Sequence, residues 1–221
     1  MVTMSRRNLD REIQLARADI LILSSMVVQA MMQSVNALRD HDLECSKTLL
    51  ENDHHINNKR FSLEGAVITV IATQQPMARD LRVLASILDV CTELERIGDY
   101  AKGIAAINLR SGGLGMPKVL QDIHYMAKKT IDMLQRSITT FIDEDHRAAA
   151  LIVKDDDLID ALYEQLYFEM MDYVVEQPEN IESANYVLWV GHNLERMADR
   201  VINICVRTVF IETGKMAVKF D

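Results

Sequence analysis

Helix-breaking residues are scarce in this chain, with 8 glycines and 3 prolines among 221 residues. Such a shortage excludes a many-turned, loop-rich fold and favours long helices joined by a handful of turns. Aromatic residues are also few, at 5%, which argues against a β-sandwich or barrel, because strands draw heavily on them. Only three cysteines occur, Cys45, Cys91 and Cys205, widely spaced and without a CxxC. That pattern reads as reduced core thiols in a cytoplasmic protein, not as a disulfide framework.

Two further shortages bound the function. The longest apolar run, "ILILSSMVVQAMM" from Ile20 to Met32, stops well short of the roughly 20 residues a bilayer span needs. The N-terminal stretch mixes charges and has no apolar signal core, so neither membrane insertion nor secretion is expected. Positive charge is in deficit, and the formal net charge is −9. A nucleic-acid binder needs a basic stripe to replace phosphate counterions, so that class is excluded. An acidic protein whose excess carboxylates hold cations fits the balance.

What the chain has in quantity is helical periodicity. Leu9, Ile13, Ala16, Ile20, Leu23, Val27 and Ala30 follow a 4,3 rhythm that predicts one long helix ending near Asp40. Further helices are predicted over about 43–73 and 78–110, with Pro76 between them. The segment "RSGGLGMPK" at 110–118 concentrates three glycines and a proline and reads as a linker. Beyond it lie helices of about 118–142, 146–176 and 180–212, the last two parted by Pro178. The tail "GKMAVKFD" reads as loose. The 13 methionines fall mostly on apolar stripes, where they read as core packing.

The halves share words. "DHHIN" at 53–57 answers to "DDLID" at 156–160, "QQP" at 74–76 to "EQP" at 176–178, and "ELERIGDYA" at 93–101 to "NLERMADRV" at 193–201. The offsets of 103, 102 and 100 keep the words collinear, the mark of an internal duplication. The expected fold is therefore all-α: six long helices forming two pseudo-symmetric three-helix bundles packed side by side, over residues 1–111 and 117–213.

The repeated words carry acids. Glu95 and Asp99 are four apart, as are Glu195 and Asp199, so each pair shares one helix face. Leu81, Leu84, Leu88 and Cys91 step along the helix onto Glu95, which puts the acids at an apolar border. Like charges repel there, and partial burial raises the cost unless a cation or a proton joins them. The plain reading is a surface carboxylate paired with Arg96 or Arg196. Repetition favours a second one, because Asp156 and Asp160 in one half match Asp53 and Asn57 in the other. Packing the helices of each half brings four oxygen-bearing side chains together, a hard-ligand site suited to iron, manganese, magnesium or calcium, with zinc also admissible. His192 lies three residues before Glu195 and could join its face, though a hydrogen-bonded or exposed histidine is a plainer reading than a ligand. Asp80 reads either as an ion-pair partner of Arg79 or Arg82 or as a neighbour of the first acidic cluster.

These words together resemble the PhoU family of phosphate-uptake regulators over nearly the whole chain. The resemblance implies six helices in two bundles, with E/D-x-x-x-D motifs that hold multinuclear metal clusters. Asp53, Glu95 and Asp99 would be ligands in the first half, and Asp156, Asp160, Glu195 and Asp199 in the second. Asn57 departs from the pattern and would make the first site the weaker. The implied role is a cytoplasmic one, with no catalytic turnover. It is negative control of phosphate-starvation signalling by contact with the ATPase of the phosphate ABC transporter and with its sensor histidine kinase. Self-association, as a homodimer, is compatible with long methionine-rich helices. Two alternatives stand beside this: a metal-free helical adaptor, and a di-iron carboxylate bundle enzyme. The latter needs a Glu-x-x-His word from each of two helices, and the one match, Glu51 to His54, has no counterpart in the second half.

Overall fold

The computed structural model describes residues 2–215; the predicted tail beyond Lys215 lies outside the described residues. Six long helices and one short one make up the chain, with no strand among the described residues. They are α1 (Val2–Asp40), α2 (Leu43–Gln74), α3 (Arg79–Ser111), α4 (Pro117–Asp143), α5 (His146–Ile152), α6 (Asp156–Glu176) and α7 (Ile181–Thr213).

The helix ends follow from local chemistry. Asp42 accepts the Cys45 amide at 2.9 Å and so caps α2, satisfying an N–H that the helix itself leaves free. Asp145 caps α5 in the same way, accepting from the amides of Arg147 and Ala148. Gln75, Gly112, Glu144 and Gly214 close their helices in the left-handed conformation, a common helix stop. The predicted helix over 146–176 is in fact two. A tight turn at Val153–Asp155 separates α5 from α6, and Arg136 of α4 ties it down at Asp155, Nη2 to Oδ2, at 2.5 Å.

The first seam is buried as its spacing predicted from Leu9 through Val27, but the next core residues are Met31, Val35 and Leu38, while Ala30 is half-buried. A straight α-helix turns every 3.6 residues, so a strict 3.5-residue stripe drifts off the core over this length. Helix α1 is long and apolar enough to cross a membrane by composition, yet this seam is buried among α2, α3 and α4.

Bundle one comprises α1, α2 and α3, and bundle two comprises α4, α5, α6 and α7. They join through α3 against α7, supported by α1 against α4. The two central helices run antiparallel in a fixed register. Asp89 faces Arg207 at 3.0 Å, Glu93 faces Asn203 at 3.2 Å, and Gly103 faces Asn193. In each pair the two numbers total 296, so with a repeat offset of 100 the pseudo-twofold axis passes beside Gly98 and Ala198. A Cβ on Gly103 would lie 3.1 Å from the Asn193 amide nitrogen, so the glycine leaves room for the crossing.

Candidate metal centre

Each half brings its repeated acids to one place. In the first half, α2 presents Asp53 and Asn57 one turn apart, and α3 presents Glu95 and Asp99. Asp53 is buried at 8% exposure. Its Oδ2 accepts from Lys102 Nζ at 2.7 Å and from Asn57 Nδ2 at 3.2 Å. Partial burial pushes the Glu95 carboxyl above its ordinary range, and the charge of Asp99 adds to it, while Arg60 opposes. Asp99 is raised likewise, by burial and then by Asp53. These mutual influences place the three carboxylates within one another's fields.

In the second half, α6 offers Asp156 and Asp160 in its first turns and α7 offers Glu195 and Asp199. Asp156 is pushed up to about 6, by burial first and then by Asp160, Asp199 and Glu195. Asp160 rises through burial and Asp199. Glu195 rises through burial and Asp199, with His192 and Arg196 opposing. The four predicted carboxylates therefore lie within one another's fields. The buried Oε2 of Glu195 has no hydrogen bond and sits 3.4 Å from His192 Nδ1, beyond a good hydrogen-bond distance. His192 thus flanks the site, as its spacing predicted.

Among the described residues no three His, Cys, Asp or Glu side chains stand in ligating geometry. In each half a protein cation already pairs with one of the acids. Lys102 draws Asp53, and Arg196 Nη1 draws Asp199 Oδ2 at 2.5 Å. Sequence reasoning missed Lys102, although it stands three residues after Asp99 and so shares its face. Arg96, expected beside Glu95, pairs instead with Glu93 at 3.2 Å. Asp80 pairs with Arg6 of α1, not with Arg79 or Arg82. Arg79 reaches Glu144, and Arg82 donates to the Ile211 carbonyl at 2.9 Å.

The residues nonetheless fit a hard cation. Both sites offer oxygen donors almost exclusively, and each keeps one buried oxygen without a hydrogen bond, Asn57 Oδ1 in the first and Glu195 Oε2 in the second. Buried polar atoms are normally satisfied, so two such orphans at pseudo-equivalent sites are consistent with a ligand. Raised carboxyls say the same thing energetically: negative charge here is under-compensated.

Comparison with known proteins agrees with this architecture. The family model for the PhoU domain matches twice, over residues 20–107 and 123–208. The phosphate-specific transport system accessory protein PhoU homolog of Clostridium acetobutylicum is 28% identical over 96% of this chain and 97% of its own. The PhoU protein of that name from Escherichia coli is 29% identical over 88% of this chain and 80% of its own. The crystal structure of the phosphate transport system regulatory protein PhoU from Streptococcus pneumoniae superposes with a TM-score of 0.88. It is 30% identical and covers 96% of this chain and all of that one. With duplicated acidic words, paired bundles and a twofold family match in agreement, the chain belongs to the PhoU family.

Proposed function

We propose that this protein regulates phosphate uptake as an accessory of a phosphate-specific transport system, acting through protein contact and carrying metal ions at its two acidic sites. The relatives named as accessory or regulatory proteins of phosphate transport support the first part. What supports the second is the mutual repulsion among Asp156, Asp160, Glu195 and Asp199, together with the buried Glu195 oxygen left without a hydrogen bond.

Asp53, Glu95 and Asp99 would hold a cation in the first half, with Asp156, Asp160, Glu195 and Asp199 in the second. Iron, manganese, magnesium and zinc all remain admissible on this donor set. A bound cation supplies positive charge that relieves the carboxylate repulsion and ties α2 to α3 and α6 to α7. This chain's part is to hold the acids on rigid helices, and to keep Lys102 and Arg196 near enough to neutralise them in a cation's absence. The contacts proposed are the ATPase of the phosphate transporter and the sensor histidine kinase, in the cytoplasm, with the outcome being repression of the phosphate-starvation response. Exposed Leu15, Ile22 and Met32 on one face of α1 support self-association as a homodimer.

The di-iron enzyme reading loses support, since His54 is exposed and its Nδ1 meets the Glu51 backbone carbonyl at 2.6 Å. The metal-free adaptor is separated by elemental analysis of protein purified without chelator, beside a Glu95→Ala, Glu195→Ala double variant. Metal in the wild type and its loss in the variant is expected; equal metal in both would remove these sites from consideration. Deletion of the gene should derepress phosphate-uptake genes in phosphate-replete cells, and unchanged expression would overturn the regulatory reading.

A further inference from the structure

The outer face of α6 is more acidic than that of its counterpart in the first bundle, α2, which also exposes large apolar side chains, Phe61 and Ile68. Helix α6 carries seven acids, Asp156, Asp157, Asp160, Glu164, Glu169, Asp172 and Glu176, and no lysine or arginine. Its pseudo-equivalent α2 is mixed, with four acids against three lysines and arginines. Duplication alone therefore does not explain the bias.

Exposed Asp157, Ala161, Glu164, Phe168 and Val175, with half-buried Met171 between the last two, are spaced 4,3,4,3,4 along α6, the interval at which a helix presents a seam to another helix. The lower half of this seam is apolar. Val175 is 81% exposed and Phe168 58%, and Tyr167 beside it makes an edge-on ring contact with Phe168. A large aromatic with a β-branched neighbour, both held in water one to two turns apart, is an unburied hydrophobic surface of the kind that marks a contact site. Glu164 and Asp172, both exposed, flank that surface.

We infer that this face of α6 docks a basic amphipathic helix of a partner protein. The apolar seam would receive side chains repeating at 3,4 intervals, and the flanking acids would receive lysines or arginines, as in helix-to-groove recognition. Charge fixes the occupant. A second copy of this chain meeting the same face would set Asp157, Glu164 and Asp172 against their own copies and be repelled, and an anionic lipid or nucleic-acid surface would be repelled as well. Helix α6 is about 30 Å long, enough for five turns of a partner.

The inference rests on the contact-based reading above but not on metal, so its test is done in chelator. The probe is a synthetic amphipathic peptide of about 21 residues with leucines at 3,4 spacing and lysines on the flanks, and a second peptide has glutamate at every lysine. Binding is followed by fluorescence anisotropy. The basic peptide should bind, weaken with added salt, and lose about tenfold in affinity to Phe168→Ser, Val175→Ser protein and to Glu164→Lys, Asp172→Lys protein. Glu44→Lys, Glu51→Lys protein carries the same charge change on α2 and should bind as the wild type does. Equal loss in the α2 variant, undiminished binding by both α6 variants, binding of the acidic peptide, or no binding at all would each overturn the proposal. None of those outcomes touches gene derepression on deletion, which tests the regulatory reading by itself.

Discussion

Asn203 of α7 donates its side-chain amide to Glu93 of α3 across 3.2 Å, at the seam where the two bundles meet. Glu93 also takes Arg96 on its own helix at 3.2 Å and lies 3.5 Å from Arg200 on the other. One carboxylate thus serves three donors near the pseudo-twofold axis. The repeat partner of Glu93 is Asn193 and that of Arg200 is Tyr100, so the duplication has here been broken into a complementary pair.

Removal of that carboxylate should loosen the bundle interface. Glu93→Ala leaves the largely buried Arg200, 15% exposed, without its counter-ion, and a stranded buried charge is costly. A loss of about 2 kcal/mol in denaturant unfolding is expected. Arg200→Ala combined with Glu93→Ala should cost less than the two single losses added together. Strict additivity would show that the pair does not interact.

The second acidic site makes metal-free protein sensitive to pH. Burial and the neighbouring carboxylates push Asp156 up to about 6 in the folded protein, above the ordinary aspartate range, so the folded state holds this proton the more tightly. Stability contributed by the protonated form is present at low pH and is lost as pH climbs through that window. In chelator, Asp156→Asn should therefore stabilise the protein at pH 7, by about 1 kcal/mol once solvent screening is allowed for, and by less at pH 5. Melting curves at the two values decide it, and a destabilised variant at pH 7 would contradict the repulsion.

Lys102 occupies the place in the first acidic site that a proposed cation would take, beside Asp53. Lys102→Ala removes the 2.7 Å partner of Asp53, so chelated protein should melt earlier. Added manganese or zinc should then stabilise the variant more than the wild type. A ligand that binds only the folded state adds about 2.7 kcal/mol at a hundredfold excess over its dissociation constant. Thermal shifts with and without metal measure the difference. An identical response in both proteins would show that Lys102 and a cation do not compete.

Packing of α6 on α7 should tolerate little growth at Gly191. A Cβ there would fall 2.6 Å from Leu166 Cδ2 and 3.1 Å from Tyr163 Cδ2. Gly191→Ala is expected to cost about 1–3 kcal/mol through overpacking and to shift the α6 acids relative to Glu195 and Asp199. Gly65 on α2 has nothing within 4 Å, and Gly65→Ala should gain about 0.5–1 kcal/mol from backbone entropy. Unfolding of both variants under one set of conditions checks the contrast.

The helices and the sharing of one face by each acidic pair were legible in the sequence, because they depend on local rules. The 3.6-residue period comes from the backbone's own hydrogen bonds. Ile13, Ile20, Leu23 and Val27 therefore announce a buried stripe, and Glu195 with Asp199 a common face, before any partner helix is known. Which cation each acid meets was not legible. Arg96 turns to Glu93, Asp80 to Arg6, and Asp53 to Lys102, and two of these three choices join side chains from different helices. The break at Val153–Asp155 was equally hidden, since that stretch has no glycine or proline and its anchor, Arg136, lies on α4. By itself the sequence determined six long helices, a duplicated plan and the carboxylates it sets on shared faces. Only the tertiary structure decided the register of α3 against α7, the pairing of Glu93 with Asn203, and how far each acidic group is left under-compensated. Those depend on the packing of the whole core, which sets the distances between helices to fractions of an ångström.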